Sequence, residues 1–199
     1  MKCLFIPASL TVLILSGCAS YHAASLNTLS NETIASAHIS DEPVLVAAKA
    51  FSKADCKRYL DRDVLEKGYQ PVQLYIQNNS DKSYLFSLNR VGMSCARPEA
   101  VAEKVHTSTV GRAAGYGAAA LVLWPMAIPA VVDGVKSAHA NEALDNDFDA
   151  KAARDQAIAP HAHFNKLLFV PVSEYQQAFV LTLIEQGTNQ PKTFNVFAD

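Results

Sequence analysis

The chain has 199 residues, 50% of them hydrophobic and 18% charged, which suits one domain with an added subdomain and excludes an intrinsically disordered chain. With 17 Lys and Arg against 19 Asp and Glu the net charge is −2, so the basic excess of a general nucleic-acid binder is missing. Four cysteines without a Cys-x-x-Cys pair exclude a disulfide-dense scaffold, a zinc knuckle and a thioredoxin-type redox site.

Met1 and Lys2 precede an apolar stretch over 4–15. This is the pattern of a secretory signal and is too short for an ordinary membrane span. The stretch closes on Leu15-Ser16-Gly17-Cys18, and these four positions resemble the lipobox of bacterial lipoproteins. The resemblance implies that 1–17 are removed as a signal peptide and that Cys18 is diacylated on sulfur, with its new amino terminus acylated as well. Two or three acyl chains hold a protein on a bilayer where one does not. Ala19, standing where retained lipoproteins carry Asp, resembles the outer-membrane sorting pattern and implies that location. Residues 19–41 are Ser, Ala, Asn and Thr with isolated Leu and Ile and no sustained period. Segment 18–42 therefore reads as a lipidated cysteine and flexible tether, spanning roughly 25 Å.

The folded domain is expected over 43–199. The apolar run Val44-Leu45-Val46-Ala47-Ala48 leads into 53–67, where charges alternate around Tyr59, Leu60 and Leu65. That pattern predicts a short exposed helix stopped by Gly68. After Pro71, Val72, Leu74 and Ile76 fall on one face of a strand and Gln73, Tyr75 and Gln77 on the other. Asn78-Asn79-Ser80-Asp81 reads as a turn and 84–88 as the returning strand of a hairpin. This unit is similar to one common in bacterial envelope immunoglobulin-like domains. Three more strands are expected at 164–170, 178–184 and 193–197. The fold class expected is α+β, an antiparallel immunoglobulin-like β-sandwich with a long helical hairpin insertion over 98–155.

Within the insertion, Pro98 at a starting position predicts a helix over 98–109, and 133–155 reads as a polar, alanine-rich helix with Val135, Ala138, Leu144 and Phe148 as its buried stripe. Residues 113–132 carry no charge. At about 1.5 Å per residue they would reach the roughly 30 Å of a bilayer core. A single span would divide the strands between two sides of a membrane, so a reversal is expected at Trp124-Pro125, where proline blocks continuation of a helix. Gly111, Gly115 and Ala119 put small residues at spacing four, as closely packed helices require, and resemble the glycine-zipper segments of some outer-membrane lipoproteins. The contact residues expected there, for helix packing, membrane or partner, are Gly111, Gly115, Leu121, Leu123, Trp124 and Ile128.

Catalytic signatures are sparse. No Gly-x-Ser-x-Gly elbow, His-Glu-x-x-His or phosphate loop is present, so no catalytic residue and no cofactor is expected. Acids at 145, 147 and 149 begin like a calcium loop, yet Ala150 and Gln156 occupy the positions that need Gly and a bidentate Glu. They read as a solvated helix face. His161 and His163 would share one face of an extended chain, without a third ligand, and the preferred reading is a solvated pair. His106 and His139 read as surface or cap residues. Cys56 and Cys95, the two cysteines left in a mature chain, are expected to form a disulfide in an oxidising envelope, worth about 4 kcal/mol for a loop of about 40 residues.

The function expected is a membrane-anchored envelope lipoprotein acting as a non-catalytic binding or assembly module. Its partners would be the bilayer, through acylated Cys18, and another envelope protein. The alternatives are a membrane-inserted homo-oligomer built on the small-residue helix and, less favoured, a metal-dependent enzyme using His161 and His163.

Overall fold

A computed structural model describes residues 20–37, 42–107 and 127–199, with the backbone alone over 127–136. In chain order the elements are α1 (Asn31–Ser36), β1 (Val44–Ala50), α2 (Lys53–Leu60), β2 (Tyr69–Asn78), β3 (Tyr84–Phe86), α3 (Pro98–Val105), α4 (Ala127–Lys151), β4 (Gln156–Ile158), β5 (His163–Pro171), β6 (Ala178–Glu185) and β7 (Pro191–Phe197). The class is α+β. The strands form a three-stranded sheet, β1-β2-β5, and a four-stranded sheet, β4-β3-β6-β7, with antiparallel pairing throughout.

Period-2 alternation builds the core between the sheets. Val72, Leu74 and Ile76 of β2 meet Phe179, Leu181 and Leu183 of β6 and Phe194 and Val196 of β7 in one buried cluster. β5 is buried on both faces: Phe164, Leu168 and Val170 join that cluster, while Leu167 and Phe169 face a second one under the helices. In the second cluster Phe169 stacks on Phe148 of α4 with ring centroids 5.4 Å apart, and Cys56 and Leu60 of α2 and Val101 of α3 are among the residues packed with them. The outer face of the four-stranded sheet stays open, with Val180, Phe197 and Leu85 exposed.

Several expectations are corrected. β2 and β3 do not form a hairpin, because β1 and β5 occupy both edges of β2 and leave none for β3. The chain turns a corner into the other sheet instead. Asn78, fully buried, holds that corner: its amide donates to the carbonyls of Lys82 and Ala159 at 2.7 and 2.9 Å, and its oxygen accepts from Ser80. The helix expected over 53–67 ends at Leu60, where Asp61 takes a left-handed conformation as C-cap; Gly68, at φ +85°, closes a separate 3-10 turn, Leu65–Lys67. α3 stops at Val105. α4 begins earlier than expected and ends at Lys151; over 137–151 its buried positions are Ser137, Ala140, Leu144, Phe148 and Lys151, with Ala138 exposed, and Val135 of the expected stripe lies outside the described side chains.

α3 and α4 run antiparallel. Glu99 pairs with Arg154 at one end, and Thr107 bonds Asn141 at the other. The expected reversal at Trp124-Pro125 lies outside the described residues. What bounds the excursion is a strand absent from the expectation, β4, which lies beside β3 with Phe86 opposite Gln156. The segment read as a tether is also corrected, since residues 20–37 pack on the domain. Leu29, with Ile34 and Ala37, covers Leu45, Ala47 and Tyr75 on the outer face of the three-stranded sheet. Gln73, on the face of β2 opposite Val72 and Leu74, donates there to the Asn27 carbonyl and to Asn165, each at 2.7 Å.

Candidate functional site

The richest polar constellation among the described residues is where the N-terminal segment crosses α2 and α4. Lys151 closes the buried stripe of α4 one helical period after Asp147, which places both side chains under the segment. Its ammonium, 6% exposed with the residue, donates to the carbonyls of Ala24 and Tyr59 at 2.8 and 2.6 Å and to Asp147 at 2.5 Å. Three donors meet three acceptors, so a buried charge is fully satisfied. The Tyr21 hydroxyl donates to the same Asp147 oxygen, and burial first, then that bond, pushes the phenol well above its ordinary pKa. The cluster thus engages its side chains with one another and with the main chain of the N-terminal segment and of α2.

Arg62 organises the neighbouring corner. Its guanidinium donates to the Asp61 carbonyl at 2.7 Å and lies 5.3 Å from the centroid of the Tyr21 ring. Long hydrogen bonds of 3.4 and 3.5 Å reach the Ser20 carbonyl and the Thr107 hydroxyl. The Asp61 carboxylate accepts from the His22 amide, and the Ala24 amide donates to the Arg58 carbonyl. Asp61 is held below the usual carboxylate range: burial raises its pKa, and the bonds from Lys57 and His22 outweigh that. Ser20 itself is exposed. The first described residue and the last one before 108 are therefore gathered on one side chain.

The residues singled out from sequence are distributed as follows. Cys18, Gly111, Gly115, Leu121, Leu123 and Trp124 lie outside the described residues, and Ile128 belongs to the first turn of α4. Cys56 and Cys95 are free thiols, which corrects the expected disulfide. The three-stranded sheet separates them: Cys56 is buried in the cluster under the helices, and Cys95 packs against the core between the sheets. Burial, with smaller effects of Asp63 and Asp55, pushes the Cys56 thiol up to about 11, and burial alone does the same for Cys95. His161 and His163 do not share an extended face, because His161 takes φ +56° in a turn and pairs with Asp81 at 3.1 Å, while His163 stacks on Tyr75. His106 bonds Asp145 at 2.6 Å, and His139 lies exposed on α4. Among the described residues no group of three or more His, Cys, Asp or Glu could hold a metal ion, and no helix is long and apolar enough to cross a membrane.

No protein-family model, curated protein or solved structure matches the chain. Tyr21, Arg62 and Lys151 escaped the sequence reading. Two signals were present: an aromatic residue three positions after the lipobox cysteine, and an Asp-to-Lys step of four along the stripe of α4.

Proposed function

We propose that the chain is a bacterial envelope lipoprotein, acylated at Cys18 and carried on the outer membrane, whose domain is a non-catalytic binding or assembly module. The observation that carries this reading is Leu15-Ser16-Gly17-Cys18 at the end of a signal-like apolar run. The exposure of Ser20 is compatible with it, since the chain leaves the domain at its surface only two positions after the cysteine. A binding role is supported by the use made of the polar cluster. Tyr21, Asp147 and Lys151 are spent on one another and on main-chain carbonyls that fasten the N-terminal segment.

The domain is read as immunoglobulin-like on its strand order. Lettering the strands A to G in sequence gives A-B-E in one sheet and D-C-F-G in the other. A constant-type immunoglobulin domain has A-B-E-D and C-F-G, so the reading requires only that the fourth strand change sheets. The helical insertion then lies between C and D. Gly111, Gly115, Leu121, Leu123, Trp124 and Ile128 are the proposed contact residues, for the bilayer or another envelope protein.

Metabolic labelling with a fatty-acid probe tests the anchor. Wild type should carry the probe and Cys18→Ser should not; equal labelling would refute acylation at Cys18. Carbonate washing of Cys18→Ser, sent to the periplasm by an ordinary signal peptide, tests the rival inserted oligomer. The module reading expects release, and wash-resistant retention would favour the oligomer.

A further inference from the structure

We infer that the domain rests directly on the lipid surface, in one orientation, by the corner formed by Arg62, Lys57 and Thr107. The inference depends on acylation of Cys18 as proposed above, and what it adds is which face of the domain meets the bilayer.

The length of free chain decides the matter. A tether over the whole of 18–42 would let the domain tumble at roughly 25 Å from the headgroups. The segment is instead fastened from its first described residues onward: Arg62 holds the Ser20 carbonyl, Asp147 holds the Tyr21 hydroxyl, Asp61 holds the His22 amide, and the Ala24 amide and carbonyl are both bonded. Whatever the conformation of the intervening residues, two positions of chain span at most about 7 Å. Acyl chains on Cys18 therefore bring the Arg62 corner to headgroup depth.

The chemistry of that corner suits phosphate-bearing headgroups. Lys57 has its side chain 75% exposed and Arg58 is exposed beside it, whereas the adjacent Asp61 carboxylate is 13% exposed and already engaged by Lys57, Arg62 and the His22 amide. Lys57, Arg58 and Arg62 stand there against Asp61, so the corner is cationic on balance and is attracted to an anionic leaflet. Thr107 belongs to the same corner, its hydroxyl reached by Arg62 at 3.5 Å. The outer face of the four-stranded sheet, with Thr193 exposed on it beside Thr182, is turned away from the three-stranded sheet that carries α2 and the N-terminal segment.

The test uses the full mature lipoprotein in vesicles of phosphatidylethanolamine and phosphatidylglycerol that carry a headgroup acceptor dye. A donor is placed at Lys57→Cys or at Thr193→Cys, both exposed, in a Cys95→Ser background. Energy transfer should be severalfold greater from position 57, and a flexible Gly-Ser linker inserted between Ala19 and Ser20 should abolish the difference. Equal transfer from both positions, with fatty acid found on Cys18 by mass, overturns the orientation and leaves the anchor standing. A difference that survives the linker overturns the claim that the docked segment sets it. Absence of fatty acid on Cys18 overturns the anchor reading, and this inference falls with it.

Discussion

Phe86 and Gln156 stand opposite each other across β3 and β4, so the excursion between them starts and ends on one rung, while within it Val91 bridges Leu181 of β6 and Ala152 bridges Leu167 of β5. Beside that rung Asp155 accepts from the Ser87 hydroxyl and, at 2.7 Å, from the Leu88 amide. The helical layer is thereby added to the sheets without a break in strand pairing.

This clasp should give the protein an acid-sensitive component of stability. The Ser87 hydroxyl, then the Leu88 amide, hold the Asp155 carboxyl below its ordinary pKa. A depressed carboxylate stabilises the fold above the unfolded-state value of about 3.9, and the contribution disappears as pH falls through the folded value. In urea titrations at stepped pH, Asp155→Asn should lower the midpoint at neutral pH and flatten its decline on the acid side. An acid limb identical to wild type would contradict the clasp.

Lys151→Met should cost about 3 kcal/mol, because it leaves the half-buried Asp147 carboxylate without its counter-charge, held by the Tyr21 hydroxyl alone, and removes the donor from two carbonyls. The loss should be accompanied by faster hydrogen exchange over 20–29, the part of the chain that Lys151 pins through Ala24. Wild-type denaturation and unchanged exchange there would show that the cluster does not hold the segment.

Strands β6 and β7 could be read from the sequence because Phe179, Leu181, Leu183, Phe194 and Val196 alternate with outward residues, and alternation is a local property. The faces of β2 were readable in the same way. Its partners were not, because β1 and β5 reach it from opposite directions along the chain, and only their arrival denies β3 an edge. β4 has three residues and no period to detect. The docking of 20–37 was hidden for a related reason: Tyr21, Leu29 and Ile34 look isolated until Asp147, Leu45 and Tyr75 are brought beneath them. At the candidate site Cys18 was legible from four consecutive residues, whereas Arg62 and Lys151 take their roles from groups distant in sequence.

The two thiols offer a check on the layering itself. Unreduced mature protein should yield two free thiols after unfolding, from Cys56 and Cys95, and both should react slowly while folded because burial holds each near a pKa of about 11. A chain with no titratable thiol until reductant is added would restore the disulfide and require the two clusters to meet.

The anchor is tested most directly at the mature amino terminus. Lys49 is the first tryptic site after Lys2, so digestion of protein extracted from membranes should release 18–49 as one peptide. Mass spectrometry of that peptide should show Cys18 as its first residue, with a diacylglyceryl group on sulfur and an acyl chain on the amino group. A peptide that begins at any other residue, or that carries an unmodified Cys18, would contradict the account.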